Sequence, residues 1–240
     1  MYIVGDIMIN IFDIGIVLIL IGYMIGGWKK GVVKETTTFI GLIIVFFLAY
    51  YLKGIVGNFL CEICPFFEFD GFISLNILIY QGIAFVILFS LFMTIYNFLI
   101  KVSNGLQKIV NATIILAIPS KILGAIIGFI EGWIILFIVI MVLIVPLKNF
   151  DQYKNSTLNN LILFKTPVLS KTVEPFTKGV VEIYKISSKI ANKEIETDEA
   201  NIKSIKIMMK YKLVDKNTIK GLIKSGKLNK IKDIDNVLKA

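Results

Sequence analysis

From Ile122 to Val145 the chain runs for twenty-four residues with a single ionisable side chain, Glu131. As a helix this stretch is about 36 Å long, against a hydrocarbon layer of about 30 Å. It therefore reads as a membrane span. Small residues recur along it every four positions: Ser120, Gly124, Gly128 and Gly132. Such a stripe lets a second helix approach backbone to backbone, which is how helices associate in lipid. The spacing predicts that this helix is the one on which the others pack.

Composition agrees. Of the 240 residues 56% are hydrophobic, above the roughly 45–50% of soluble domains. The cationic residues are all Lys, with no Arg and no His. The absence of His removes the usual general base and the commonest metal ligand, which excludes a Ser-His-Asp hydrolase and a His-ligated zinc enzyme. The absence of Arg removes bidentate phosphate clamps. Cys61 and Cys64 fall in one short segment and give no disulfide framework. As a lone CxxC they supply too few ligands for a closed zinc site, so no metal and no cofactor is expected. The formal charge is +9. Residues 185–240 hold fourteen Lys against seven acids, so most of the excess lies in the C-terminal part.

The sequence predicts an all-α, polytopic membrane protein with four transmembrane helices and amphipathic C-terminal helices. The four-helix domain is expected over residues 1–150, with spans at about 7–28, 36–52, 77–100 and 122–145. Membrane-proximal amphipathic helices follow over 151–190, and a Lys-rich helical tail over 191–240. A signal peptide needs a positive leading region and a small-residue cleavage site. Here Asp6 precedes the first apolar run and Lys29, Lys30 and Lys34 follow it, which predicts an uncleaved span. Gly22 and Gly26 form a GxxxG pair in it, and Gly27 and Gly31 a second one. Thr36, Thr37 and Thr38 open the second span and can back-bond to the helix. Tyr50, Tyr51 and Lys53 read as an interface anchor. Residues 53–72 are expected as an acidic loop. In the third span Gln81, Ser90, Thr94 and Asn97 are expected to turn toward other helices. Residues 109–118 are apolar but too short to span, which suggests an interfacial or re-entrant segment. Ser120 after Pro119 is the expected N-cap of the fourth span. The two basic loops belong inside and the acidic loop outside. Both termini are then expected on the extracytoplasmic side of the cell membrane.

Three stretches together resemble the colicin V production protein family of bacterial membrane proteins. Asn10-Ile-Phe-Asp13 is similar to the family's N-x-x-D opening. GGWKKGVVKE, with Gly31, Lys34 and Glu35, is similar to its basic turn into a Gly-containing second helix. SKILGAIIGFIEGW is similar to its fourth-helix signature. The match covers about residues 8–190 and leaves the tail outside it. The resemblance implies a multi-pass membrane protein without established catalytic activity, associated with production or export of a bacteriocin toxin and with envelope maintenance. Its implied partners are the lipid bilayer and toxin-export or envelope proteins.

Glu131 is the residue to single out. A carboxylate at mid-span costs roughly 2.5–3.5 kcal/mol, so it must face protein or water or be protonated. It serves as an ion or proton site, pairs with a Lys of another span, or lies in the headgroups if residues 120–131 form an interfacial turn. A transporter or channel subunit would bring Glu131, Gln81 and Asn97 to a common depth. Asn10 and Asp13 lie three apart at the mouth of the first span, where capping and the helix dipole explain them. The glycine stripe is the face on which a homo-oligomer would form. The Lys-rich tail suits an anionic lipid or wall polymer, and nucleic acid is disfavoured without Arg. No nucleophile–base constellation is present, so an enzyme is the least expected class.

Overall fold

The computed structural model describes residues 10–106, 117–147 and 150–238. The first residues of the first expected span and most of the segment 109–118 lie outside them. Among the described residues the chain is all-α, without strands. Its long helices are α1 (Ile11–Lys30), α2 (Val32–Ile63), α3 (Leu75–Leu106) and α4 (Ala117–Leu147). The shorter α5 (Asp151–Lys154), α6 (Thr157–Lys165), α7 (Leu169–Ala191), α8 (Thr197–Lys210) and α9 (Lys216–Lys224) follow, then a 3-10 turn, Ile234–Val237. Each of α1–α4 is long and apolar enough to cross a membrane. The chain is a multi-pass membrane protein.

Local chemistry sets the ends of α1. The Asn10 side chain accepts a hydrogen bond from the Phe12 N–H at 2.9 Å, Asp13 lies in the first turn, and Lys29 and Lys30 lie in the last. That charge order complements the helix dipole. Gly31, at φ +77°, stops the helix, in a left-handed region that suits a residue without Cβ. Thr37 and Thr38 hydroxyls donate back to the Val33 and Lys34 carbonyls at 3.0 and 3.1 Å.

Three expectations are corrected. The acidic loop expected over 53–72 is helical as far as Ile63, because nothing between Lys53 and Cys64 breaks a helix until Pro65 disfavours it. Cys61 therefore lies on α2, not in a loop. Ser120 is not an N-cap: α4 begins at Ala117, with Pro119 in the first turn, where its missing N–H carries little penalty. The Ser120 hydroxyl oxygen instead accepts the Val32 N–H at 3.2 Å and so caps α2 from across the bundle. Of the polar residues on α3, Gln81 is buried, whereas Ser90, Thr94 and Asn97 are exposed. These three share one outer face, where the Thr94 hydroxyl back-bonds to the Ser90 carbonyl at 2.8 Å.

The contacts divide the chain into two compact units. The first comprises Met1–Ile44 and Ile95–Ser170. Here α1 lies along α4, and α5 and α6 close one end. Phe12 packs edge-on against Phe150 and Tyr153 at ring distances of 6.4 and 5.7 Å. The Tyr153 hydroxyl donates to the Ile140 carbonyl at 2.9 Å, and Trp133 Nε1 donates to Thr166 Oγ1 at 2.9 Å. The second unit comprises Val45–Thr94 and Lys171–Ala240. On α7 the buried residues Val173, Phe176, Val180, Ile183 and Ile186 recur every three or four positions. That apolar face carries the helix through Pro175.

Candidate functional site

The first unit is built on glycine. A Cβ on Gly27 would lie 2.1 Å from the Gly124 carbonyl oxygen and 3.1 Å from Gly128 Cα. A Cβ on Gly124 would lie 2.4 Å from the Gly27 oxygen, and one on Gly128 2.4 Å from the Tyr23 oxygen. At the ends of the seam, Gly31 meets the Ser120 hydroxyl and Gly132 meets the Tyr23 ring. The ladder Ser120, Gly124, Gly128, Gly132 thus receives Tyr23 and Gly27 of α1 and its C-cap Gly31, themselves four apart. The stripe receives α1 of the same chain, the packing expected of it, on the face that was also the candidate for a homo-oligomer. Gly22 and Gly26, expected as the packing pair of α1, face open space. The i, i+4 register that puts Gly27 and Gly31 on the seam turns them away.

Beside this seam two carboxyl groups come together. Glu35, in the first turn of α2, is fully buried, and Glu131 of α4 is 5% exposed. Their side chains face each other, with Tyr23 and Lys30 within electrostatic reach. The Lys30 ammonium lies 3.0 Å from Glu35 Oε2. Glu35 Oε1 and Glu131 Oε2 are buried without a hydrogen-bond partner among the described residues. One ammonium thus stands beside two buried carboxyls, and the charge of only one is balanced. α4 is continuous from Ala117 to Leu147, so Glu131 does not lie on an interfacial turn over residues 120–131. Glu35 was visible in the sequence as a motif residue, and nothing in the spacing of a second helix points it at Glu131.

Gln81 and Asn97 have other surroundings. Gln81 Nε2 donates to Asn58 Oδ1 at 3.1 Å, and its amide fills the space that a side chain on Gly57 would take. Asn97 is exposed, as is Lys34. Asn10 and Asp13 do more than cap their own helix. Asn10 Nδ2 donates to the Gln152 carbonyl at 2.6 Å, and Asp13 Oδ1 accepts from the Ser156 hydroxyl at 2.5 Å and the Leu158 N–H at 3.1 Å. The carboxylate of one helix start thereby holds the start of α6. Among the described residues no three His, Cys, Asp or Glu side chains converge as a metal site. Cys61 and Cys64 are free thiols.

In the second unit the C-terminal helices fasten to the α2–α3 connection. Lys227 Nζ donates to the Cys61 and Cys64 carbonyls at 2.8 and 2.6 Å, satisfying the end of α2. Asn201 Oδ1 accepts the Ser74 N–H at 2.8 Å, and its Nδ2 donates to the Gly71 carbonyl at 2.8 Å. Lys230 pairs with Glu68. Asp215 caps α9 by accepting the Thr218 N–H at 2.8 Å, and it also accepts from Asn58 Nδ2 at 3.1 Å. Those bonds, the Thr218 N–H first, hold its carboxyl below the usual Asp range. The Tyr211 hydroxyl, with Lys210 beside it, likewise lowers Glu182. Sequence reasoning missed this docking. Its one local signal was Asp215 three residues before Thr218, an N-cap spacing.

A family model described as Colicin V production protein matches residues 12–167. No curated protein and no solved structure matches the chain.

Proposed function

The chain belongs to the colicin V production protein family, and from that premise we propose that it supports production or export of a bacteriocin-type toxin and maintenance of the cell envelope, without catalysing a reaction. The observation that carries this reading is the extent of the match. Residues 12–167 run from the first turn of α1 through α6, with the glycine seam, the Asp13–Ser156 clasp and the Glu35–Glu131 pair. The tail lies beyond the matched residues. The test is deletion of the gene and complementation, with toxin activity in the medium and survival under detergent stress as readouts. Deletion that changes neither would refute the proposal.

We also propose that both termini are extracytoplasmic. The basic turn at Lys29, Lys30 and Lys34 and the basic segment at Lys101, Lys108 and Lys121 support this orientation. So does the tail, fastened to the acidic connection that bears Glu68 and Asp70. With Cys61 and Cys64 replaced by Ser and a single Cys at position 240, a membrane-impermeant maleimide should label intact cells. Labelling only after lysis would reverse the orientation.

A second reading, a small transporter or channel subunit using Glu131, is favoured by the facing carboxyls. A buried negative charge left unbalanced by Lys30 calls for a proton or small cation. In proteoliposomes carrying a pH-sensitive dye, the wild-type protein should pass protons or monovalent cations, and Glu131→Gln should abolish the flux. A folded Glu131→Gln protein with unchanged flux would remove this reading and leave the first intact.

A further inference from the structure

The second unit contains a cavity of about 870 Å³ whose walls differ in chemistry. One wall is α2, through Tyr51, Gly54, Ile55 and Asn58, and the other carries Lys206, Lys212 and Lys216 together with the apolar Met209, Leu213 and Val214. Tyr51 and Ile55 are 70% and 71% exposed. With Leu48, also exposed, they fall three and four apart and form one apolar stripe along the helix.

The charge of the other wall is largely unanswered. Lys210 is held by Glu182 at 3.5 Å. The acid in the lining, Asp215, already accepts from Thr218 and Asn58. Lys206, Lys212 and Lys216 are exposed and have no ion pair among the described residues. The position along α2 matters as well. Its 32 residues make a helix of about 48 Å, against about 30 Å of hydrocarbon. Tyr50, Tyr51 and Lys53 are expected from the sequence at the headgroup level, where Tyr and Lys collect, and of these Tyr51 is exposed. The groove begins there.

We propose that this groove binds an anionic phospholipid of the surrounding membrane. The headgroup phosphate is held by Lys206, Lys212 and Lys216, and an acyl chain lies on Leu48, Tyr51 and Ile55. A soluble anion would satisfy the basic wall and leave the apolar one wet. A neutral lipid would do the reverse. An anionic amphiphile at headgroup depth matches both. The site lies outside the family-matched residues on its basic side, and the inference is independent of the toxin-production reading.

The test uses the full chain in nanodiscs of phosphatidylcholine with graded phosphatidylglycerol, with retained lipids counted by native mass spectrometry. The wild type should retain phosphatidylglycerol in preference to phosphatidylcholine. A Lys near an anionic surface contributes about fivefold in affinity, so Lys206→Gln/Lys212→Gln/Lys216→Gln should lower that preference about a hundredfold. Lys171→Gln/Lys189→Gln/Lys220→Gln, matched in charge and outside the groove, should leave it unchanged. Gly54→Leu separates binding from folding, because a Cβ there meets nothing within 4 Å. It should fill the groove and lower lipid retention while the thermal midpoint stays in place. Equal retention of the two lipids by the wild type, or an unchanged preference in the triple variant, overturns the proposal. Retention unaffected by Gly54→Leu does so too. Displacement of the lipid by millimolar inorganic phosphate would identify a soluble-anion site instead.

Discussion

Gly26 and Gly27 are neighbours in sequence and opposites in structure, which makes Gly27→Ala against Gly26→Ala a sharp test of the α1–α4 seam. A Cβ at position 27 would stand 2.1 Å from the Gly124 carbonyl oxygen and 2.8 Å from its carbon. Both atoms are backbone, so no side chain can rotate away. The helices would have to part by well over ~1 Å before ordinary contact is restored. That separation weakens the packing at Gly128 and Gly31 as well, since the seam is one rigid surface. Overpacking of this kind costs about 1–3 kcal/mol. At position 26 nothing lies within 4 Å, and Gly→Ala in an open helix interior gains up to about 1 kcal/mol. Trp28 and Trp133 flank the seam, so thermal unfolding in mild detergent can be followed by tryptophan fluorescence. Gly27→Ala should lower the midpoint by about 2–4 °C per kcal/mol, with Gly26→Ala equal to or above the wild type. Equal losses at the two positions, or a neutral Gly27→Ala, would refute the backbone-contact argument.

Other outcomes follow from the same geometry. Lys30→Met leaves Glu35 buried beside Glu131 without its ammonium and should destabilise by up to about 3 kcal/mol; Lys30→Met/Glu35→Gln should recover most of that loss in the same melt. Asp13→Ala removes the acceptor for Ser156 and Leu158, and faster amide exchange over residues 156–160, with about 1–2 kcal/mol lost, is expected by analogy with a deleted cap. The Asp215 carboxyl is lowered in the fold by its hydrogen bonds, so its stabilisation is complete above the unfolded value near 3.9 and disappears as pH falls through the lowered folded value. Exchange protection of α9 should therefore fall at acid pH in the wild type, and less steeply in Asp215→Asn, which keeps a capping oxygen. Lys227→Met removes the donor to the Cys61 and Cys64 carbonyls and should speed amide exchange at the end of α2 while Gly27-seam stability is unchanged.

The four spans, the all-α class and the family were legible in the chain, because a bilayer imposes its demands on each segment separately. A run such as Ile122–Val145 must form a helix whatever its neighbours do, since only its own backbone can satisfy its hydrogen bonds in lipid. The glycine ladder of α4 was legible for a related reason: a stripe every four residues is a property of one helix. Its partner was not. Gly22–Gly26 and Gly27–Gly31 are equal candidates by spacing, and only the rotation of α1 against α4 selects the second. Tertiary structure likewise decided that Glu131 meets Glu35 and that Asp13 holds α6. It also decided that Ser120 caps α2 and that Lys227 closes the end of that helix. Each is a pairing of residues from different helices, set by crossing geometry and side-chain direction, which no one-dimensional period contains.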